Sequence, residues 1–246
     1  MNGVDAGRLL AYATDVSAVP GGSGDSGDYT RLVRRYRDEA EFRHLVDDLM
    51  EGVGCEVTDA RPESGLVIRS EPDGPWCWPA TSADLPWNKN SPTVEERACR
   101  MLVIPALLAF VAPSAADFED LVSDPTLAMP PVPVQALEQF IRRFAYSCEQ
   151  ANPDPVGDER PLWWHWLLWT AYKPTPQQKR KGRGDGTYIV FDVLQFLHRR
   201  GLMSKPSDTV AKDAVFRPKR RLLAHYRDLL VDDLFQALQH AAGEAD

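Results

Sequence analysis

One pattern occurs twice in this chain, and it narrows the possible folds more than any single residue does. An amphipathic helix runs directly into a short apolar hairpin. In the first copy, from Glu39 to Ser70, residues Phe42, Leu45, Val46, Leu49 and Met50 recur at i, i+3, i+4, i+7 and i+8. That spacing puts them on one helix face. Gly52 and Gly54 end the helix, because glycine tolerates the left-handed backbone of a helix stop. Cys55-Glu56-Val57-Thr58, the turn Arg61-Pro62-Glu63-Ser64-Gly65 and Leu66-Val67-Ile68-Arg69 then read as strand, turn, strand. The second copy, from Thr187 to Arg217, repeats this. Val190, Val193, Leu194 and Leu197 give the helix face and Gly201 the stop. Leu202-Met203 and Ala214-Val215-Phe216 give the two strands, around a polar tip at 205–213.

Helices that end in a small hairpin follow the winged-helix plan. The sequence therefore predicts a mainly α chain with small β-hairpin wings: tandem winged-helix domains joined by a helical middle region. The first domain is expected at 29–79, the connection and middle region at 80–158, and the second domain at 159–246. Residues 1–28 are expected to be a flexible N-terminal arm, a short helix followed by the linker-like run VPGGSGDSGD. In the middle region, helices are expected over 93–111, 115–122 and 132–150. Pro218 should open a last helix reaching about His240, with Leu222, Leu223, Tyr226, Leu230, Leu234 and Leu238 inward.

Charge divides the chain. Its net charge is −8, yet residues 173–227 hold fourteen Lys or Arg against four Asp or Glu, a net of +10, which leaves −18 on the remainder. Such asymmetry points to a polyanion at one end and a different partner elsewhere, or to attraction between the two regions. The candidate phosphate contacts are Lys179, Arg180, Lys181 and Arg183 in a glycine-rich loop, Arg217 in the wing, and Lys219, Arg220 and Arg221 at the start of the last helix. Several cations on one surface release counterions from a duplex and make binding steeply salt-dependent. The helix before the wing offers only Gln195, His198 and Arg199 as base readers. Non-specific backbone contact is therefore expected rather than operator reading.

Two tryptophan-rich stretches stand apart. Residues 71–92 contain Trp76, Trp78 and Trp87 among prolines, without periodicity. Leu162 to Tyr172 (LWWHWLLWTAY) is apolar on every side. Such a helix is either central to a core or shared with another chain. Tryptophan also dominates interface hot spots, so Trp163, Trp166, Trp76 and Trp78 are the candidate partner-interface residues. His165 is expected to be a hydrogen-bonded core histidine.

Signals for chemistry are sparse. No HExxH, Walker A, GxGxxG or GxSxG run occurs. Cys55, Cys77, Cys99 and Cys148 lack zinc-ligand or redox spacing and read as reduced thiols. Asp47-Asp48 and Asp232-Asp233 read as solvated helix faces. No catalytic residue, metal or cofactor is expected. No apolar run reaches the ~20 residues of a membrane span, and the N-terminus lacks a signal-peptide pattern, so a cytoplasmic protein is expected.

The stretches FRHLVDDLMEGVGCEVTDARPESGLVIR at 42–69 and IVFDVLQFLHRRGLMSKPSDTVAKDAVFRPKRRLLAHYRDLL at 189–230 resemble the opening and closing winged helices of the kite subunits of bacterial SMC complexes. The likeness is to the MukE and MksE type, including the Wadjet plasmid-defence subunit. It covers about two-thirds of the chain. The Trp/Pro connection and the Trp-rich helix depart from the pattern. The resemblance implies a non-catalytic, condensin-like subunit that dimerises, binds a kleisin and helps seat double-stranded DNA beneath an SMC ATPase. Its role would be DNA loop extrusion, chromosome segregation or plasmid defence. The competing expectations are a free-standing dimeric winged-helix regulator and an enzyme whose site carries no recognisable motif.

Overall fold

In a computed structural model the described residues are 2–15, 18, 20–21, 24–70, 94–124, 126–153, 161–171, 185–205, 213–225 and 233–243. They are mainly helical, with two small antiparallel sheets. The chain divides into two compact units. One comprises Met1–Ser82 with Lys219–His225, the other Ala83–Pro218 with Tyr226–Asp246.

The first unit contains α1 (Asn2–Thr14), α2 (Gly24–Asp38), α3 (Ala40–Gly52), β1 (Cys55–Arg61) and β2 (Gly65–Ser70). Each helix turns one apolar stripe inward: Ala6, Leu9 and Ala13 from α1, Tyr29, Leu32, Val33 and Tyr36 from α2, Phe42, Val46 and Met50 from α3. The segment expected to be a flexible arm is thus part of this core. Glycine and serine content implied mobility, but α1 has apolar residues at i, i+3 and i+7, and burying them offsets the entropy of ordering the segment. The linker is also shorter than composition implies. The Thr30 hydroxyl holds both the N–H and the carbonyl of Gly21, each at 3.0 Å, and α2 has begun by Gly24.

β1 and β2 pair from Cys55↔Ser70 to Arg61↔Gly65, with a bulge between Val57 and Asp59. Two features lock the hairpin onto α2. The Tyr29 hydroxyl accepts the Leu66 N–H at 2.9 Å. Gly65 has φ +86°, and a Cβ there would overlap the Tyr29 hydroxyl and lie 2.6 Å from Cζ. Only glycine satisfies both the backbone and the space.

The second unit contains α4 (Val94–Val111), α5 (Ala115–Ser123), β3 (Val132–Pro133), α6 (Val134–Ala151), α7 (Leu162–Ala171), α8 (Gly186–Arg199), β4 (Met203–Ser204) and β5 (Val215–Pro218). α4 packs on α6, α7 and α8. Ser114 and Asp117 form a reciprocal capping box on α5. Asp185 caps α8 by accepting the Thr187 N–H at 2.9 Å. The three strands are ordered β3-β5-β4, with Val132↔Phe216 and Ser204↔Arg217 in register. β3 escapes sequence reading because two residues carry no period.

The expected last helix is described in two parts, and residues 226–232 between them, with Tyr226 and Leu230, lie outside the described residues. Its described parts are α9 (Arg220–His225), which belongs to the first unit, and α10 (Asp233–Gly243), which belongs to the second. Leu222 and Leu223 are fully buried in the one, Leu238 in the other. A single run of leucines at helical spacing therefore serves two different cores.

Candidate nucleic-acid interface and partner surfaces

Of the eight cations expected to contact phosphate, Lys179, Arg180, Lys181 and Arg183 lie outside the described residues. The other four differ in setting. Arg217 is exposed on β5, and its backbone carbonyl accepts the Ser204 hydroxyl at 3.4 Å. Lys219 is half-buried. Burial lowers its ammonium pKa, and the nearby Arg221 charge adds to that. Arg220 is also half-buried.

Arg221 is a correction. Its guanidinium donates to the carbonyl of Ala13, in the last turn of α1. No basic residue of α1 itself occupies that turn. A cation there complements the negative end of the helix and satisfies a carbonyl left without an intrahelical partner. Arg221 therefore secures α1 rather than presenting its charge to a ligand.

The would-be recognition helix, α8, is poorer in base readers than its sequence. His198 Nδ1 donates to the Met203 carbonyl at 3.1 Å, in the tautomer that carries a proton there, and its ring lies against Phe216. The Gln195 carbonyl oxygen is buried without a hydrogen-bond partner among the described residues. Asp192 pairs with Arg100, a 3% exposed arginine on α4 that also donates to Glu96 at 2.9 Å. Arg199 alone of the three expected readers remains exposed. Reading by sequence missed the Arg100–Asp192 pair, although an arginine among apolar residues (ACRMLV) signals a buried acid partner.

Trp163 and Trp166, expected at a partner interface, point inward instead. They are 8% and 0% exposed, and Trp169 joins them. Trp166 packs at the meeting point of α6, α7 and α8, where a Cβ on Gly186 would lie 3.0 Å from its ring and 2.7 Å from Glu138 Oε1. The solvent side of α7 holds half-buried Trp164 and Leu168, which is 42% exposed. An all-apolar helix has no period to say which tryptophans face in. Trp76 and Trp78 lie outside the described residues. His165 is half-buried, and its Nδ1 is without a hydrogen-bond partner among the described residues.

The described residues offer little for covalent chemistry. No trio of His, Cys, Asp or Glu among them could hold a metal. Burial, with Glu96 and Glu95 nearby, pushes the Cys99 thiol well up, and burial raises that of Cys148. Protonated thiols are poor nucleophiles. Asp47 is not simply solvated, because it accepts the Tyr36 hydroxyl at 2.7 Å. A cavity of about 360 Å³ lies beside Tyr36, Arg37, Arg43 and residues 57–60. Its charged groups are turned to structural tasks. Arg43 donates to the Tyr36 and Arg37 carbonyls, while Asp59 takes the Ala60 N–H and the Arg61 guanidinium. No single helix among the described residues is long and apolar enough to cross a membrane.

No family model matches this chain, and no curated protein and no solved structure was found to be similar to it.

Proposed function

We propose that this chain is a non-catalytic, tandem winged-helix subunit of the kite type. It binds the kleisin of a bacterial SMC ATPase complex, self-associates as a homodimer, and contacts double-stranded DNA through its basic C-terminal region. The activity served is DNA loop extrusion at the nucleoid, in chromosome organisation or plasmid defence.

The observation that carries this reading is the strand order β3-β5-β4, with α8 leading into the β4–β5 hairpin. A short strand, helices, then a hairpin whose return strand pairs with the first is the order a winged helix would have, and it supports that reading. The first unit supports a tandem arrangement with a simpler version, in which three helices precede a two-stranded hairpin. The engaged polar groups of α8 favour backbone contact over base reading. The phosphate contacts are then Lys179, Arg180, Lys181, Arg183, Arg217, Lys219 and Arg220, without Arg221.

The DNA part is tested by salt-dependent binding to a random-sequence duplex. Lys179→Glu, Arg180→Glu and Lys181→Glu together should weaken binding and flatten the slope of log affinity against log salt. Unchanged affinity and slope would remove that loop from the interface. Tight binding to one sequence alone would favour a free-standing regulator.

A further inference from the structure

Helix α3 has a second face that the core of its unit does not use. Glu41, His44, Asp48 and Glu51 recur at i, i+3, i+7 and i+10, and all four are exposed. Beside them Leu49 is 39% exposed, and Leu45, half-buried, packs against the edge of the core. This face is acidic with an apolar seam. The outer side of α8 has the converse character. Tyr188 is exposed and Phe191 half-buried, followed by exposed Arg199 and Arg200 and then Lys205. The Lys205 ammonium lies 5.5 Å from the Phe191 ring centre, and Phe191 sits edge-on to Phe216 at 6.0 Å. Arg200 lies 5.4 Å over the Phe196 ring. The acid on this side, Asp192, is neutralised by Arg100.

We propose that these two faces are the halves of one self-association contact: α3 of one copy docks on α8 and the start of the hairpin of a second copy. Glu41, Asp48 and Glu51 then meet Arg199, Arg200 and Lys205, and Leu45 and Leu49 meet Tyr188 and Phe191. Opposite charges set the pairing and the apolar seam supplies the desolvated centre. Each copy carries both halves, so the contact is head-to-tail. It gives a closed dimer or ring where the rotation closes and an open chain where it does not. A twofold dimer makes the contact twice and so buries twice the surface of a single contact. DNA is the poorer occupant of the α3 face, where three acids repel phosphate. The inference rests on the self-association part of the proposed function and is independent of its DNA part.

The test is analytical ultracentrifugation of the full chain, with duplex binding measured in parallel. The wild type should associate, less so at high salt. The triple variants Glu41→Lys/Asp48→Lys/Glu51→Lys and Arg199→Glu/Arg200→Glu/Lys205→Glu should each be monomeric alone. Mixed together they should associate again, because the reversed α3 face of one variant meets the reversed α8 face of the other, and their two unchanged faces also meet as opposite charges. That rescue separates lost pairing from misfolding. Association unchanged in both variants would overturn the inference alone. A wild type that stays monomeric at high concentration would overturn it together with the proposed homodimer. Loss of duplex binding in the Arg/Lys variant, with association intact, would assign the α8 face to DNA and overturn the inference.

Discussion

The two units solve one design problem differently. Both end a set of helices with an apolar hairpin, but the first unit has two strands and the second three. In the first, the hairpin is held by a helix: Tyr29 of α2 bonds Leu66 and fills the space above Gly65. In the second, a short strand, β3, pairs with the return strand β5, and the Val134 N–H extends that contact to Ala214 at 3.0 Å. The helices that lead into the hairpins differ as well. α3 presents acids to solvent, whereas α8 presents aromatics leading to cations. A shared sequence pattern therefore specifies a shared scaffold and not a shared surface.

The sharpest way to break the comparison is at the two glycines that hold these scaffolds. Gly65→Val should destabilise the first unit by about 3 kcal/mol or more, since it combines positive φ with a clash against a buried ring. Gly186→Ala should cost the second unit about 1–3 kcal/mol, because Glu138 and Trp166 would have to shift. Urea unfolding followed by hydrogen exchange in each unit would read both. Equal effects in both units after either change would show that the units do not have separate cores.

Next in size is the dependence of the first unit on distant sequence. Leu223→Ala should cost about 2–5 kcal/mol, the range for emptying a buried leucine site. Faster exchange should appear in α1 and β2, with α4 and α6 protected as before. Loss of protection in α4 alone would contradict the assignment of α9 to the first unit.

Breaking the Arg100–Asp192 pair should have a smaller effect, confined to the second unit. Arg100→Leu leaves an acid that is 38% exposed, so solvent offsets part of the loss and about 1–2 kcal/mol is expected. A double-mutant cycle with Asp192→Asn isolates the pair, and a coupling near zero would show that it contributes nothing.

The same contrast has a pH signature. The raised groups Tyr29 and Tyr36 belong to the first unit, and Cys99 belongs to the second. Burial leads in each case. An acid whose folded pKa is raised contributes stability that is complete below its unfolded value, 9.0 for the thiol and 10.0 for the phenols, and is lost as pH rises beyond it. Unfolding should therefore become easier above about pH 9, and Cys99→Ala should reduce that slope in the second unit only. A flat profile from pH 8 to 11 would contradict the burial of these groups.

The smallest predicted difference separates two neighbouring arginines. Arg221→Ala should cost about 1 kcal/mol of stability while leaving the salt slope of duplex binding unchanged. Arg217→Glu should leave stability unchanged and flatten that slope. Reversed behaviour would return Arg221 to the DNA surface.

Much of this architecture was legible because apolar residues at i, i+3, i+4 and i+7 allow one burial solution. α3, α6 and α8 follow from that period, and the hairpins from glycine stops and turn residues. The packing of α1 was not legible, since three small or medium apolar positions in a glycine-rich context do not reveal a partner. Nor was the division of the last leucine run, because one helical period fits two cores equally well. The inward direction of Trp163 and Trp166 was hidden by the absence of any polar side on α7. Arg221 looked like its neighbours because a sequence shows a charge but not the helix end it meets.

The most direct test of the proposed role is affinity capture of the full chain from its native host, with bound proteins identified by mass spectrometry. The account predicts recovery of a coiled-coil SMC-type ATPase together with a kleisin, both surviving nuclease treatment. Recovery of the chain alone, or with one promoter fragment and no ATPase, would contradict it.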